Sequence, residues 1–485
     1  MAYVRYIKRG RSTYAYLVES YREKGKVKQR NLEYLGKVDG LSGEIIPPKH
    51  KRKIKTTLKR GISILEPLFM ELRVALRKSF GTDRGDKLFY IALIEFLHPS
   101  PMRYISDSAE SHGLCINLSP SGISKLFSGI TEDEVYTFFR NISHDGSTLV
   151  FDITSLNYSG KSLDYAEYGY NRDSVHMPQV NLCLSVDMER DIPVYFRIFN
   201  GSIPDVSTVI HTINDLRAFG YTDSHFIFDR GFYSRINLAE LAEFKYTGAL
   251  PKSTKLFEEL IRKHLDIEHL ANVVEYRGDR IMVSEEIIDG IKYVIVYSPK
   301  LKYEQSDTFM DRLLRTEELL RRYCGKYDSY RLKELCKSYW NYFDVSGCNI
   351  RRKNKAIQRS VNLMGKYVLF TNDLDSSWRE VLDRYREKDI IEKAFEALKN
   401  HGFLTPLRVW SDKTLYGKVF ASFLFYWVYR RIMSRVDIPY EEVRRLFDGM
   451  LAVLYDDSRE VDVELTKKQK NLLKSIGCSV QNGKK

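Results

Sequence analysis

Strand-like and helix-like segments alternate between residues 148 and 250, and this order constrains the fold more than any other feature of the sequence. The order is strands at 148–154, 179–187 and 192–199, a helix at 205–219, a strand at 225–229, a helix at 235–244 and a strand at 246–250. Three strands followed by helix–strand–helix–strand are typical of a mixed sheet flanked by helices. The sequence therefore predicts an α/β fold.

This α/β pattern is interrupted and then resumes. Residues 251–365 contain strand-like stretches, a charged helix and a basic run, and we interpret them as an insertion. The pattern returns with a strand at 367–371 and helices at 376–385, 388–400 and 414–433. The predicted sheet is therefore assembled from two separate parts of the chain.

Positive charge is concentrated at the N-terminus. Residues 1–60 contain 17 Lys and Arg against 5 Asp and Glu, which accounts for almost all of the formal net charge of +13. Residues 13–35 have the pattern of a β-hairpin, and 61–80 and 84–97 have helical apolar spacing. The densest basic cluster consists of Lys49, Lys51, Arg52, Lys53, Lys55, Lys59 and Arg60. Such a segment attracts phosphate backbones; a solvated arm without a dedicated ligand and a contact with an acidic membrane are the alternatives.

Several other classes of protein are disfavoured. The best candidate for a membrane span, residues 420–429, is too short and is flanked by charge, so we expect an intracellular protein without a span. The six cysteines lie far apart and form no CxxC pair, so we expect reduced thiols. The cysteine and histidine spacings also give no support for a structural zinc site.

Two aspartates occupy unusual positions in the predicted strands. Asp152 lies in the middle of the apolar run Leu-Val-Phe-Asp-Ile-Thr, where an isolated ionised carboxylate would be costly. Asp229 ends the run Phe-Ile-Phe-Asp and precedes Arg230 and Gly231, which suits a site at the carboxyl edge of an α/β sheet. Either residue alone could be a structural aspartate paired with a cation. The two together favour a metal site.

A third acidic residue lies in a helical segment with an unusual stripe. Tyr385, Lys388, Glu392 and Lys399 have offsets of 0, 3, 7 and 14, which at 3.6 residues per turn places them near one helical face. That face would combine an aromatic ring, two ammonium groups and one carboxylate. An ordinary amphipathic helix with solvated ion pairs is the alternative interpretation of this spacing.

These segments together resemble the insertion-sequence transposases that have a DDE catalytic triad, in the group with a Tyr-(2)-Arg-(3)-Glu-(6)-Lys signature. Tyr385, Glu392 and Lys399 match that signature in type and spacing. Lys388 occupies the arginine position and lacks its bidentate fork, so Arg386 is a candidate for that contact. The blocks Leu-Val-Phe-Asp-Ile-Thr-Ser, Asn-Gly-Ser-Ile-Pro-Asp and Phe-Ile-Phe-Asp-Arg-Gly-Phe-Tyr-Ser are similar to blocks of the family. The resemblance covers nearly the whole chain.

The resemblance implies a ribonuclease-H-like mixed sheet flanked by helices, with a partly β insertion and a basic N-terminal DNA-binding region. We expect six segments. They are a basic β-hairpin and arm (1–60), a helical DNA-binding region (61–145), the first part of the catalytic domain (146–250), the insertion (251–365), the second part of the catalytic domain (366–433) and a helical tail for possible dimerisation (434–485).

The resemblance also implies the roles of the site residues. Asp152, Asp229 and Glu392 would be the catalytic residues and would hold two Mg²⁺ ions, for which Mn²⁺ could substitute. Residues implied to contact DNA are Tyr385, Lys388, Lys399, Arg386 and Tyr367. Tyr367 is the candidate for stacking on a flipped base, and a core strand tyrosine is an equal alternative for it.

The expected function is cut-and-paste transposition of an insertion sequence. Its partners would be terminal inverted repeats and target DNA, with a homodimer in the synaptic complex, no membrane, and a cytoplasmic, nucleoid-associated location in a prokaryote. End cleavage would pass through a hairpin. A transposase-derived DNA-binding protein that no longer cuts is the main alternative. A glycoside hydrolase with paired acids is a second one, although it would not need the lysines beside Glu392 or a basic N-terminus.

Overall fold

The computed structural model describes residues 2–23, 26–48, 53–99, 101–116, 118–169, 176–402, 404–456 and 458–478. Lys49, Lys51 and Arg52 of the basic cluster lie outside this part, as do the last residues of the predicted tail. The chain forms two compact units. The first consists of Met1–Phe138, His401–Phe403 and Lys413–Lys485, and the second of Phe139–Asn400 and Leu404–Asp412.

The N-terminal elements begin with strands. They are β1 (Ala2–Arg9), β2 (Ser12–Glu23), β3 (Lys26–Val38), β4 (Ile45–Ile46), β5 (Ile54–Lys59), α1 (Gly61–Leu65), α2 (Met70–Phe80), α3 (Thr82–Leu97), α4 (Ile105–Ser111), α5 (Pro120–Ser128) and α6 (Glu132–Ile142). The hairpin predicted for residues 13–35 is confirmed as β2 and β3, but β1 and β4 extend it into a four-stranded antiparallel sheet. Ala15 and Val18 are its fully buried hydrophobic side chains.

Helix α3 is central to the first unit because its C-terminal half is buried on every side. An ion-pair network ties it to α2. Asp86 on α3 pairs with Arg77 and Arg73 on α2, with N–O distances of 2.6 and 2.9 Å. The hydrogen bonds from Arg77 and Arg73 hold the pKa of Asp86 well below its usual value. The predicted helical spacing at 61–80 and 84–97 is thus confirmed.

The second unit is built on a large mixed sheet. Its first elements are β6 (Thr148–Asn157), β7 (Gln179–Asp187), β8 (Ile192–Asn200), α7 (Asp205–Ala218), β9 (His225–Phe228), α8 (Arg235–Glu240) and β10 (Lys245–Ala249). Strand β7 pairs antiparallel with both β6 and β8, whereas β9 runs parallel to β6 and β10 runs parallel to β9. The predicted α/β order is confirmed element by element.

The segment 251–365 adds strands to this sheet as well as helices. Its elements are α9 (Lys255–Lys263), β11 (Val273–Tyr276), β12 (Asp279–Ile288), β13 (Ile291–Tyr297), α10 (Pro299–Tyr323), α11 (Ser329–Cys336), β14 (Phe343–Ser346), β15 (Asn349–Arg352) and α12 (Asn354–Asn362). β14 and β15 form a separate hairpin. Next come β16 (Lys366–Thr371), α13 (Trp378–Arg386) and α14 (Asp389–Asn400), and the nine strands lie in the order β11-β12-β13-β16-β10-β9-β6-β7-β8.

One expectation about the cysteines is wrong. Cys324 and Cys348 form a disulfide, although they are 24 residues apart in sequence. The fold brings them together because Cys324 caps the C-terminus of α10 and Cys348 lies in the turn between β14 and β15. The elements that the disulfide joins also share a small hydrophobic core, which contains Phe309 and Leu313 of α10 and Phe343 of β14. Sequence spacing contains no information about such a contact.

The C-terminal elements belong to the first unit. They are α15 (Asp412–Met433), α16 (Tyr440–Asp448), β17 (Leu451–Tyr455), β18 (Glu460–Asp462) and α17 (Lys467–Ser475). Strand β17 pairs with β18 and with β5, so the C-terminal segment completes a three-stranded sheet with the N-terminal segment. No helix among the described residues is both long enough and apolar enough to span a bilayer.

The block Asn-Gly-Ser-Ile-Pro-Asp has a structural role that its sequence did not reveal. It follows β8, and its backbone is held by side chains of β7. The Gln179 amide donates to the Gly201 carbonyl at 3.1 Å, and the Asn181 amide donates to the Ile203 carbonyl at 3.2 Å. A Cβ at Gly201 would collide with the carbonyl oxygens of Gln179 and Glu167. Only glycine therefore allows this close approach of backbones.

The substitution Gly201→Ala tests the close contact between Gly201 and the backbone oxygens of Gln179 and Glu167. We expect the substitution to lower the free energy of unfolding by about 1–3 kcal/mol, because two backbone oxygens must move. Gly40→Ala is the matched control, since no atom lies within 4 Å of the added methyl group. Urea denaturation of both variants measures the difference. Equal stability of the two variants would contradict the packing described.

Candidate active site

Asp152 and Asp229 lie just beyond the paired stretch of two parallel strands. Strands β6 and β9 are in register from Thr148 opposite His225 to Val150 opposite Ile227. Asp229 directly follows β9 and has an extended backbone, with φ −77° and ψ 163°. Asp152 and Asp229 each come two residues after the last pair, Val150 and Ile227, on strands that are neighbours in the sheet, at a usual spacing of about 4.8 Å. The two predicted aspartates therefore follow one paired stretch of parallel strands.

The two carboxylates also share one face of that sheet. Phe151 packs against Phe228, with ring centroids 5.9 Å apart, and against Phe232. Because side chains alternate along a strand, Asp152 and Asp229 lie on the opposite face. That face is covered by α13, whose Tyr385 contacts Asp229, and α14 packs on β6 and β7. The two aspartates thus lie on the sheet face that is covered by α13 and α14, the segments that contain Tyr385 and Glu392.

Asp152 is largely removed from water. It lies within β6 and is only 5% exposed, and its Oδ1 accepts a hydrogen bond from the Ile153 backbone N–H at 2.8 Å. An ionised carboxylate in such surroundings is favourable only with compensating polar or charged groups. This placement is typical of a functional carboxylate rather than of a surface residue.

Asp229 is surrounded by three donors from different parts of the chain. Its Oδ1 accepts from the Arg230 backbone N–H at 2.8 Å and from the Tyr385 hydroxyl at 3.0 Å. Its Oδ2 lies 3.2 Å from the Lys388 ammonium. Burial alone raises the pKa of Asp229, but Lys388, the Arg230 N–H and Tyr385 together hold it below its usual value. Asp229 is therefore ionised at neutral pH.

Glu392 joins this group through the same lysine. The Lys388 ammonium lies 2.9 Å from Glu392 Oε1, so one cation bridges Asp229 and Glu392. The Lys388 side chain is only 14% exposed, whereas that of Glu392 is 61% exposed. Burial alone lowers the pKa of Lys388, but the two carboxylates outweigh it and raise that pKa above its usual value. The ammonium therefore stays charged.

The helix geometry differs from the single stripe that the spacing suggested. Helix α13 ends at Arg386 and α14 begins at Asp389, and the joint has shorter turns, with the Lys388 N–H donating to the Tyr385 carbonyl at 3.2 Å. Lys388 lies in this joint. Tyr385 and Glu392 consequently belong to different helices, as the separate helices predicted at 376–385 and 388–400 indicated, and the spacing of one regular helix does not describe the four residues together.

Helix α13 is fixed firmly enough to position Tyr385. A capping box between Ser377 and Glu380 begins the helix. Val381 and Leu382 are buried in a core cluster of strand residues, against which Tyr385 also packs. Burial raises the pKa of Tyr385 well above its usual value, and the neighbouring Asp229 raises it further. The tyrosine is thus a neutral hydrogen-bond donor to Asp229.

The remaining predicted DNA contacts are placed differently. Lys399 is half-buried near the end of α14, and its carbonyl accepts from Thr405 Oγ1 at 2.7 Å. Arg386 is exposed, and its guanidinium lies 4.8 Å from the centroid of the Tyr276 ring. Tyr367 is half-buried and packs in the core cluster, and burial raises its pKa. Its contacts are those of a core strand tyrosine, the alternative considered for it.

Sequence reasoning missed the local roles of Tyr385 and Lys388. Both were expected to contact phosphates, whereas in the structure their polar atoms bind Asp229, and Lys388 also binds Glu392. The spacing of Lys388 and Glu392, four residues apart, was the available signal, since such pairs meet on a helix.

The donors present suit a hard divalent cation in their chemistry. Asp152, Asp229 and Glu392 supply only carboxylate oxygens, which are the ligands that Mg²⁺ and Mn²⁺ prefer. Nowhere in the described ranges do three His, Cys, Asp or Glu side chains already stand together as a metal cage. Two of the three carboxylates instead share the Lys388 ammonium.

Comparisons with known families identify the family of this chain. Residues 143–408, more than half of the chain, match a family model described as "Transposase DDE domain". The chain belongs to the DDE transposase family. Residues 4–61 match the model described as "IS1634 family transposase, N-terminal domain". The protein is accordingly an insertion-sequence DNA transposase, an enzyme that cuts and transfers DNA strands, and members of its family generally use divalent metal ions.

Similarity to other proteins is more distant. No curated protein matches the transposase in sequence. Among solved structures it is similar to the piggyBac transposase synaptic complex with hairpin DNA, with 9% identity, 76% of this chain and 70% of that chain covered, and a TM-score of 0.40. It is also similar to the Drosophila P element transposase strand transfer complex, with 13% identity, coverages of 76% and 86%, and a TM-score of 0.23.

The contacts of Asp229 predict how Tyr385→Phe will behave. The substitution removes the O–H donor and keeps the ring, so we expect the free energy of unfolding at pH 7 to fall by about 1 kcal/mol. Because the pKa of Asp229 is lower in the folded than in the unfolded state, its ionisation stabilises the fold at pH values above the unfolded pKa. That stabilisation is lost as the pH falls through the folded pKa of Asp229. The difference from wild type should therefore shrink from about pH 6 to about pH 3.

Urea denaturation at the two pH values measures this effect. Tyr303→Phe is the control, because that side chain is 75% exposed and it should change stability little at either pH. If the free energy of unfolding of Tyr385→Phe differs from that of wild type by the same amount at both pH values, the hydrogen bond to an ionised Asp229 is contradicted.

Proposed function

We propose that Asp152, Asp229 and Glu392 are the catalytic carboxylates of a cut-and-paste transposase. The observation that supports this most is the shared strand register of Asp152 and Asp229, together with the lysine that links Asp229 to Glu392. Three residues separated by up to 240 positions are thereby directed to one face of one sheet. The presence of all three carboxylates favours an active enzyme over a DNA-binding descendant that no longer cuts.

We infer that the fold of the second unit is ribonuclease-H-like. Its central strands lie in the order β8-β7-β6-β9-β10, with β7 antiparallel and β9 and β10 parallel to β6. The segment between β10 and β16 is the proposed insertion, which ends shortly before the helix with Glu392. The match of Tyr385, Glu392 and Lys399 supports membership of the group with the Tyr-(2)-Arg-(3)-Glu-(6)-Lys signature.

The three carboxylates would hold two Mg²⁺ ions, or Mn²⁺ in their place. Bound there, the ions supply Lewis acidity to an attacking water or 3′ hydroxyl and to the leaving 3′ oxygen. Asp152, Asp229 and Glu392 would together supply the carboxylate oxygens that hold these ions. Asp229 needs no deprotonation to bind, because its pKa is already low.

The chain's own residues would position the DNA end. Water attack would nick the terminal inverted repeat, and the freed 3′ hydroxyl would attack the opposite strand, forming a hairpin and releasing the flanking DNA. A second water would reopen the hairpin and regenerate the 3′ hydroxyl, which would then attack a target phosphodiester and displace a 3′ hydroxyl of the target. Lys399 and Arg386 are candidates for phosphate contacts, which orient the backbone without reading sequence. The basic N-terminal region would recognise the terminal repeat. Pairing of two transposon ends implies a homodimer in the synaptic complex. The enzyme would act in the cytoplasm of a prokaryote, in association with the nucleoid.

The carboxylate assignment is tested by end cleavage with Mg²⁺. Asp152→Asn, Asp229→Asn and Glu392→Gln should each slow nicking of terminal-repeat DNA by at least about a hundredfold, because each removes a direct ligand. Glu396→Gln is the control, since Glu396 is exposed one turn later on α14. Normal nicking by any of the three variants would exclude that residue from the catalytic set.

The phosphate contact of Lys399 is tested by binding rather than cleavage. Lys399→Ala should weaken binding equally to specific and nonspecific DNA, and it should reduce the slope of log K against log salt by about 1. Lys393→Ala is a control on the same helix. Fluorescence anisotropy at several salt concentrations gives both slopes, and an unchanged slope for Lys399→Ala would refute the contact.

A further inference from the structure

The Lys388 side chain is largely buried and paired with two carboxylates, which is unlike a solvent-exposed lysine that is available to bind DNA. Its ammonium lies 3.2 Å from Asp229 Oδ2 and 2.9 Å from Glu392 Oε1, and the side chain is 14% exposed. A lysine kept for a phosphate contact would present its ammonium to solvent. This one is instead directed at two acidic residues from separate elements of the fold.

We propose that the Lys388 ammonium takes the place of a divalent cation between Asp229 and Glu392 in the metal-free transposase. The inference rests on the proposed function, because it takes these two carboxylates to be metal ligands. Lys388 is then a positioning residue. It keeps two like charges close together before metal arrives, and it competes with the metal for them.

The hydrogen bonds of Asp229 are suited to such an exchange. Oδ1 is held by the Arg230 backbone N–H and the Tyr385 hydroxyl, and the Lys388 ammonium is the cation at Oδ2. Withdrawal of the ammonium would free Oδ2 without releasing the carboxylate from its orientation. Glu392 is 61% exposed, so it can exchange its partner with little rearrangement.

The residue type at position 388 is also explained. An ammonium is a compact point charge on a flexible stem of four methylene groups, whereas a guanidinium binds carboxylates through a rigid planar fork. Lysine can therefore bridge two carboxylates and still withdraw. Lys388 lies in the joint between α13 and α14, where the backbone departs from regular helix. An arginine there would be harder to displace.

The test measures Mn²⁺ binding to the full chain without DNA, by electron paramagnetic resonance of the free ion. Lys388→Met removes both the competing charge and the repulsion of the incoming cation. We expect Mn²⁺ to bind about tenfold more tightly to Lys388→Met than to wild type. Lys388→Gln should behave similarly, and Lys388→Arg, which keeps the charge, should bind no more tightly than wild type. Lys393→Met, at an exposed position of α14, should leave the affinity unchanged.

A second measurement guards against a folding defect. In EDTA, Lys388→Met and Lys388→Gln should unfold at a lower temperature than wild type, because Asp229 and Glu392 lose their shared partner. Saturating Mn²⁺ should then raise their unfolding temperature by more than it raises that of wild type. Lys388→Gln is the variant to rely on if Lys388→Met does not fold, since it keeps a polar donor of similar length.

The outcomes separate this inference from the proposed function. If Asp229→Asn and Glu392→Gln leave Mn²⁺ affinity unchanged, the ligand assignment is wrong and the inference falls with it. If those variants weaken binding while the neutral Lys388 variants bind no tighter than wild type, only the inference is overturned. The inference is also overturned if Lys388→Arg binds Mn²⁺ as tightly as Lys388→Met does, because loss of the positive charge would then not explain the gain in affinity.

Discussion

The parallel pairing of β6 with β9 is the constraint on which the candidate site depends. Asp152 and Asp229 each follow its last pair by two residues, and the alternation of side chains places them on a common face. A shift of this register by one residue would send one of the carboxylates to the opposite face, among the phenylalanines. The packing of Phe151 against Phe228 and Phe232 therefore serves the site as well as the core, because it opposes such a shift.

Much of the α/β core could be predicted from sequence because its signals are local. An apolar run of the right length marks a strand, and β7 was predicted with its observed bounds of Gln179–Asp187. Sheet membership is not local. Strands β11 to β13 join the main sheet through pairing with β16, and β17 pairs with β5 across nearly the whole chain. Such pairings, like the Cys324–Cys348 disulfide, depend on contacts that no window of sequence contains.

The candidate site was predictable in its members but not in their connections. An acidic residue inside or just after a buried strand is conspicuous, since its desolvation is costly, and this identified Asp152 and Asp229. The helical segment identified Glu392 through its spacing and through the family resemblance. The partners of these carboxylates were assigned to phosphates instead, because the predicted boundary between the two helices does not reveal how the break between Arg386 and Asp389 orients Lys388. That break directs Lys388 to Asp229 and Glu392 together.

The site thus has one rigid part and one adjustable part. Asp152 lies within the sheet, and Asp229 is held by a backbone N–H and by a tyrosine packed in the core, so neither can move without disturbing strands or helix α13. Glu392 is largely exposed on a separate helix that follows an irregular joint. Helix α14 is itself anchored by buried side chains, among them Ile391, Phe395 and Leu398, so its backbone is held in place. The adjustable part is therefore the exposed Glu392 side chain, which can change its partner while the helix and the two aspartates keep their positions.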